Sequence, residues 1–205
     1  MKKHLLGIGI IQLLVCCLLV ACASKKQETN QEIKVETKAE IVKMYRQDVP
    51  ALRFIGKIYT DSDRVNGTFG AHWMEWFPNG WFDVIRKQTD IDLKTMFEDG
   101  DAEIGLLRNK ANGEFEYWIG MYMPENTPVP NGFEYYDFPK STLGVCRLYG
   151  DESQVFFQND RCREELEKLD YEIIPDHEGT IWNLERGGAP DEKGKFLMDI
   201  CFYVK

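Results

Sequence analysis

The chain has 205 residues, 43% of them hydrophobic and 29% charged, with 34 acidic against 25 basic side chains and a net charge of −9. That length suits one principal domain with a core of ordinary size. The acidic balance, without a basic stripe or a Gly-rich loop opening a helix, argues against a nucleic-acid partner because phosphates would be repelled, and no cofactor motif is present.

Lys2 and Lys3 precede the stretch Leu5 to Val20, which is apolar apart from Gly7, Gly9 and Gln12. This reads as a secretory signal, short for a membrane span. It ends in Leu19-Val20-Ala21-Cys22, which resembles the lipobox of bacterial lipoproteins and implies cleavage before Cys22 and lipidation of its sulfur. An ordinary signal peptide or an uncleaved anchor helix is the competing reading. Lipidation would convert a spanning segment into an anchor on the membrane. Ser24 is not an inner-membrane retention aspartate, so the expected location is the bacterial cell envelope, on the outer membrane where there is one. Removing residues 1 to 21 takes Lys2 and Lys3 and no acid, moving the net charge from −9 to −11. Residues 22 to 40 are rich in Lys, Gln, Glu and Thr and read as a lipidated cysteine with a solvated tether.

From Ile41 to Lys205 the apolar density stays high, as expected of one domain. A strand is predicted over Ala51 to Tyr59, then a helix over Ala71 to Lys87 with a potential break at Pro78-Asn79-Gly80. Strands at Ala102 to Arg108 and Glu114 to Met123 follow, joined by the hairpin signal Asn109 to Gly113. The order then repeats: a strand at Thr142 to Tyr149, a helix at Ser153 to Leu169, and strands at Thr180 to Arg186 and Phe196 to Val204. Phe115, Ile119 and Tyr122 match Phe196, Ile200 and Tyr203 at a constant offset of 81. The reading is an α+β fold of tandem β-α-β-β units with pseudo-twofold symmetry; chance likeness among short aromatic strands is the alternative. In the final strand Phe196, Met198, Ile200, Phe202 and Val204 point one way, and Leu197, Asp199, Cys201 and Tyr203 the other. The first set is expected under helices on one face of an antiparallel sheet, the second at a ligand cleft on the other.

Three cysteines, Cys146, Cys162 and Cys201, fall in the domain, without the spacing of a zinc site. They read as buried apolar residues, with a Cys146 to Cys201 bridge as the option in an oxidising compartment. His72 and His177 lack partners at metal-ligand spacing.

Several stretches together resemble the GyrI-like small-molecule-binding domain, also called the AraC-type effector-binding domain. They are Val49 to Gly56, Phe115 to Met121, Val129 to Ser141, Leu184-Glu185-Arg186 and Asp199 to Val204. The resemblance covers residues 41 to 205 and implies two β-α-β-β units enclosing a cleft for aromatic or cationic molecules. It implies further that Glu185 meets the ligand charge, and that some relatives hydrolyse reactive electrophiles with the same kind of glutamate. Gly187 stands where the family often has tyrosine, and there is no helix-turn-helix beside the domain. Read by itself, Glu185 is equally a solvent-facing acid beside Arg186, and the Trp73, Trp76 and Phe77 stripe is by default core. The candidate ligand-binding residues are Glu185, Trp73, Trp76, Tyr117, Trp182 and Tyr203. The leading functional expectation is membrane-tethered capture of a small hydrophobic or cationic molecule. The alternatives are a hydrolase with Glu185 as general acid or base and a structural or partner-binding lipoprotein.

Overall fold

The computed structural model describes residues 38–205, so Cys22 and most of the tether lie outside the described residues. The strands are β1 (Glu40–Val49), β2 (Leu52–Tyr59), β3 (Ile104–Asn109), β4 (Phe115–Pro124), β5 (Glu134–Phe138), β6 (Ser141–Gly150), β7 (Ile181–Gly187) and β8 (Phe196–Val204). The α-helices are α1 (Gly70–Trp76), α2 (Trp81–Arg86), α3 (Glu152–Val155) and α4 (Asn159–Glu167). The two β-α-β-β units are β2 to β4 and β6 to β8, each with its helical segment between the first and second strands.

Three local features differ from the sequence reading. The first helix is broken at Pro78 to Gly80 as its sequence suggested, with Gly80 at φ 61 opening α2, but the second is also broken, at Phe157, left-handed at φ 62. β1 and β5 were not expected as strands. Both lie at sheet edges, where charged residues alternate irregularly with apolar ones and half the side chains meet water, so periodicity is weak. The folded part begins before Ile41: Ala39 is buried, and its carbonyl accepts a 2.7 Å hydrogen bond from Arg161 Nη1.

The strands form one antiparallel sheet in the order β1-β6-β8-β7-β3-β4-β2-β5. β1 and β2 stand six places apart yet are joined by Pro50 and Ala51 alone, and β5 and β6 repeat this with Pro139 and Lys140. Six flat strand spacings would be about 29 Å, whereas three residue steps reach about 11 Å at most. The sheet must therefore curl, and ring contacts confirm it. Tyr136 of β5 lies 4.5 Å from Trp182 of β7, and Phe138 stacks at 5.0 Å on Tyr203 of β8. One apolar cluster fills the inside of the curl with residues from every strand, among them Val49, Phe54, Leu106, Trp118, Phe138, Val145, Leu184 and Tyr203.

The other face carries the helices in two separate clusters. α1 and α2 cover Ile55, Ile119, Met121 and Met123; α3 and α4 cover Cys146, Leu148, Met198, Ile200, Phe202 and Val204. The alternation read from β8 is thus realised, with its Phe196 set under the helices. Cys146 lies under α4 and Cys201 inside the curl, so the sheet itself separates them and the bridge considered from sequence is not available. All three domain cysteines are buried free thiols.

The strand order is palindromic about the β7–β3 pair. Tyr122 and Tyr203, counterparts at the offset of 81, meet across it with their hydroxyls 2.5 Å apart. Carrying that equivalence through the β3–β4 and β7–β8 ladders makes Gly105 the counterpart of Glu185, and the two are direct cross-strand partners. The pseudo-twofold axis therefore passes between a glycine and a glutamate.

Candidate functional site

In β7, Trp182, Leu184 and Arg186 point into the curl, so strand geometry sends Glu185 to the helix-bearing face. Its row there contains Ile119, Gly105 and Ile200. Tyr117, on β4, reaches across Gly105 and donates its hydroxyl to Glu185 Oε1. Gly105 is what makes this reach feasible: a Cβ there would overlap the Tyr117 hydroxyl and stand 2.9 Å from both Glu185 Cγ and Oε1. Trp73 of α1 completes the chain, donating Nε1 to the same phenol oxygen at 2.9 Å. Phe69, at the start of α1, stacks on the Tyr117 ring with centroids 4.4 Å apart and planes 2° from parallel.

The electrostatics follow from this enclosure. Glu185 is half-buried, and withdrawal from water raises its proton affinity, partly offset by the hydrogen bond from Tyr117. Burial, then the neighbouring carboxylate, holds Tyr117 firmly as a protonated donor. No basic side chain among the described residues pairs with Glu185, its side-chain partner being the phenol. Other buried acids are neutralised: Asp199 accepts from Arg147 at 2.6 and 2.8 Å and pairs with Arg186 at 3.2 Å. Glu116 is bonded by Lys110, Arg108 and the Trp118 indole. Arg186, the sequence neighbour considered as a surface partner for Glu185, is committed to Asp199 on the opposite face.

The expected site residues therefore divide. Glu185, Tyr117 and Trp73 come together. Trp76 shares their face but is a core residue, fully buried against Phe82 at 4.5 Å with its indole donating to Tyr59 at 3.1 Å. Trp182 and Tyr203 lie inside the curl, separated from the carboxylate by the sheet: the Trp182 indole is satisfied by Asp176 at 2.8 Å, and Tyr203 is stacked on Phe138. The face opposite the helices, where the sequence reading placed the ligand cleft, is filled by its own rings, and Glu185 lies on the helix-bearing face. Phe69 and Gly105 complete the arrangement and were not anticipated. Gly105 had a readable signal, an isolated glycine inside an apolar strand marking a close approach; Phe69 had none, because only the path of α1 places its ring on Tyr117.

No protein-family profile matches the chain, and comparison with curated proteins gives no match. Solved structures do match in fold. One is SAV2435 bound to tetraphenylphosphonium, at TM-score 0.54 and 13% identity over 80% of this chain and 94% of that one. Another is a proposed bacterial transcription regulation protein from Staphylococcus aureus MU50, at TM-score 0.51 and 14% identity over 80% of this chain and 98% of that one. At such identity the likeness is one of fold, and it fits the GyrI-like resemblance carried by the sequence.

Proposed function

We propose that this protein binds a small organic cation on the helix-bearing face of its sheet, with Glu185 as counter-ion and the Tyr117, Phe69 and Trp73 rings as walls. The observation that carries this reading is a half-buried carboxylate with no basic partner among the described residues, beside stacked aromatic rings. An ionised acid withdrawn from water needs a cation, and π faces supply further attraction to one. SAV2435, which shares the fold, has a structure bound to tetraphenylphosphonium, which makes that lipophilic cation the first probe to use.

Titrating the full chain with tetraphenylphosphonium while following tryptophan fluorescence tests the proposal. Saturable quenching is expected, with affinity reduced about tenfold or more in Glu185→Gln, roughly 1.4 kcal/mol or above. Equal affinity in wild type and variant would remove Glu185 from the site.

A second reading uses the same pair for turnover. Its support is the raised proton affinity of Glu185 next to a phenol donor, a pairing suited to general acid or base work on an electrophile. Product analysis after incubation with strained electrophiles separates it from binding alone.

The location belongs to the same proposal: lipid on Cys22 would tether the domain to the envelope membrane through residues 23 to 38, outside the cytoplasm.

A further inference from the structure

Cys146 and Cys162 belong to different elements of the second unit. Cys146 lies on the helix-facing side of β6, and Cys162 on the buried side of α4. Both are fully buried in one apolar cluster. The packing of α4 on β6 sets their relation. Leu166 sits over Gly144, its Cδ1 3.6 Å from where a Cβ on that glycine would be. Cys162 precedes Leu166 by one helical turn, about 6 Å along the axis, while Cys146 follows Gly144 on the same strand face by about 6.8 Å. Leu166 over Gly144 and these two spacings bring the thiols together in the layer between helix and strand, and each thiol heads the influences on the other's proton affinity. Cys201 is excluded, being inside the curl across the sheet.

We propose that Cys146 and Cys162 form a disulfide, a redox-dependent staple between β6 and α4. The oxidant is a disulfide donor acting by thiol exchange, of the small-molecule or protein dithiol class. One protein thiolate attacks a donor sulfur, releasing the first donor thiol and leaving a mixed disulfide. The second protein thiol, after losing its proton, attacks the protein sulfur of that bond and expels the second donor thiol. Two protein thiols and one donor disulfide thus become one protein disulfide and two donor thiols. Because both sulfurs are buried in the finished fold, exchange takes place during folding or on local opening of α4. The bond would close a short loop containing α3 and the first turn of α4, and its effect would fall on α4, whose first residue, Asn159, accepts a 2.8 Å bond from Asn183 in the strand that carries Glu185. The inference does not rest on the ligand reading.

The test refolds the full chain with oxidised and reduced glutathione, and in parallel with reductant alone, followed by blocking of free thiols in denaturant, digestion and mass spectrometry. The expected result in the glutathione sample is a linked peptide pair joining Cys146 to Cys162, lighter by about 2 Da than the two free peptides together, with Cys201 blocked. The oxidised chain should melt several degrees above the reduced one. Cys162→Ser should lose the linked pair without gaining another involving Cys146. Recovery of Cys146 and Cys162 both as blocked free thiols in wild type, or of Cys146 linked to Cys201, would overturn the proposal. This readout comes from the wild-type chain and so does not depend on the variant folding.

Discussion

A single carboxylate next to a glycine is an asymmetric solution to a symmetric problem. Two units of one design meet at the Gly105–Glu185 pair, and acids at both positions would place like charges side by side at the axis. Glycine on one side also opens the space that the Tyr117 phenol crosses. Gly105→Ala is therefore expected to displace that phenol, costing about 1–3 kcal/mol of stability by overpacking and weakening cation binding. Urea unfolding followed by titration checks both effects; a variant with unchanged stability and affinity would contradict the crowding argument.

The raised proton affinity of Glu185 has opposite consequences for folding and for binding. The folded chain holds this proton more tightly than the unfolded chain, so the stability the group contributes is fully present below the ordinary value of 4.5 and is lost as pH rises through the higher folded value. Glu185→Gln should accordingly be more stable than wild type at neutral pH, with the advantage vanishing in acid. Cation binding needs the ionised form and should fall as pH drops through the same window, above 4.5. Melting curves and titrations at matched pH values measure the two trends, which must run in opposite directions if one group governs both.

At the scale of elements, the curl is held at one end by charge. Arg147 from β6, Arg186 from β7 and Asp199 from β8 form a cluster in which Arg186 and Asp199 are buried and Arg147 is partly exposed. Gln47 of β1 joins it by accepting from Arg186 at 2.9 Å, and Asp99, in the loop before β3, lies 3.3 Å from Arg186. Asp199→Asn would leave two arginines underneutralised, and a loss of about 3–5 kcal/mol is expected, measurable as a lowered denaturation midpoint. A change within a few tenths would show that the other partners of Arg186 suffice.

How much of each element was legible follows from where it sits in the sheet. β8 was readable residue by residue because both its faces are buried by different partners and its alternation is complete. β1 and β5 were not, because edge strands take half their pattern from water. The first helix showed its own break in Pro78 and Gly80, whereas the second breaks at Phe157, an aromatic residue that carries no turn signal.

At the scale of the whole molecule, the described domain begins near Ala39, which is buried and held by Arg161. If Cys22 carries lipid, Cys22→Ser should shift the protein from the membrane to the soluble fraction while leaving tetraphenylphosphonium affinity unchanged. Fractionation together with labelled fatty acid incorporation checks this; continued membrane association of the variant would point to an uncleaved apolar segment.

The sequence by itself determined the order of the two β-α-β-β units and the counterpart relation of Tyr122 and Tyr203, because period and spacing are local properties of the chain, whereas Glu185 was singled out by the GyrI-like resemblance and not by its pattern. Only the tertiary structure decided which aromatic residues stand with the carboxylate. Trp182 adjoins Leu184 and Glu185 in sequence, yet a strand sends neighbours to opposite faces, and the curl then packs Trp182 against Tyr136 and Phe138 from the far edge. Trp73, distant in sequence, reaches the site because α1 folds back over β4. Proximity across a curled sheet depends on the closure of the whole sheet, and no stretch of the chain records that closure.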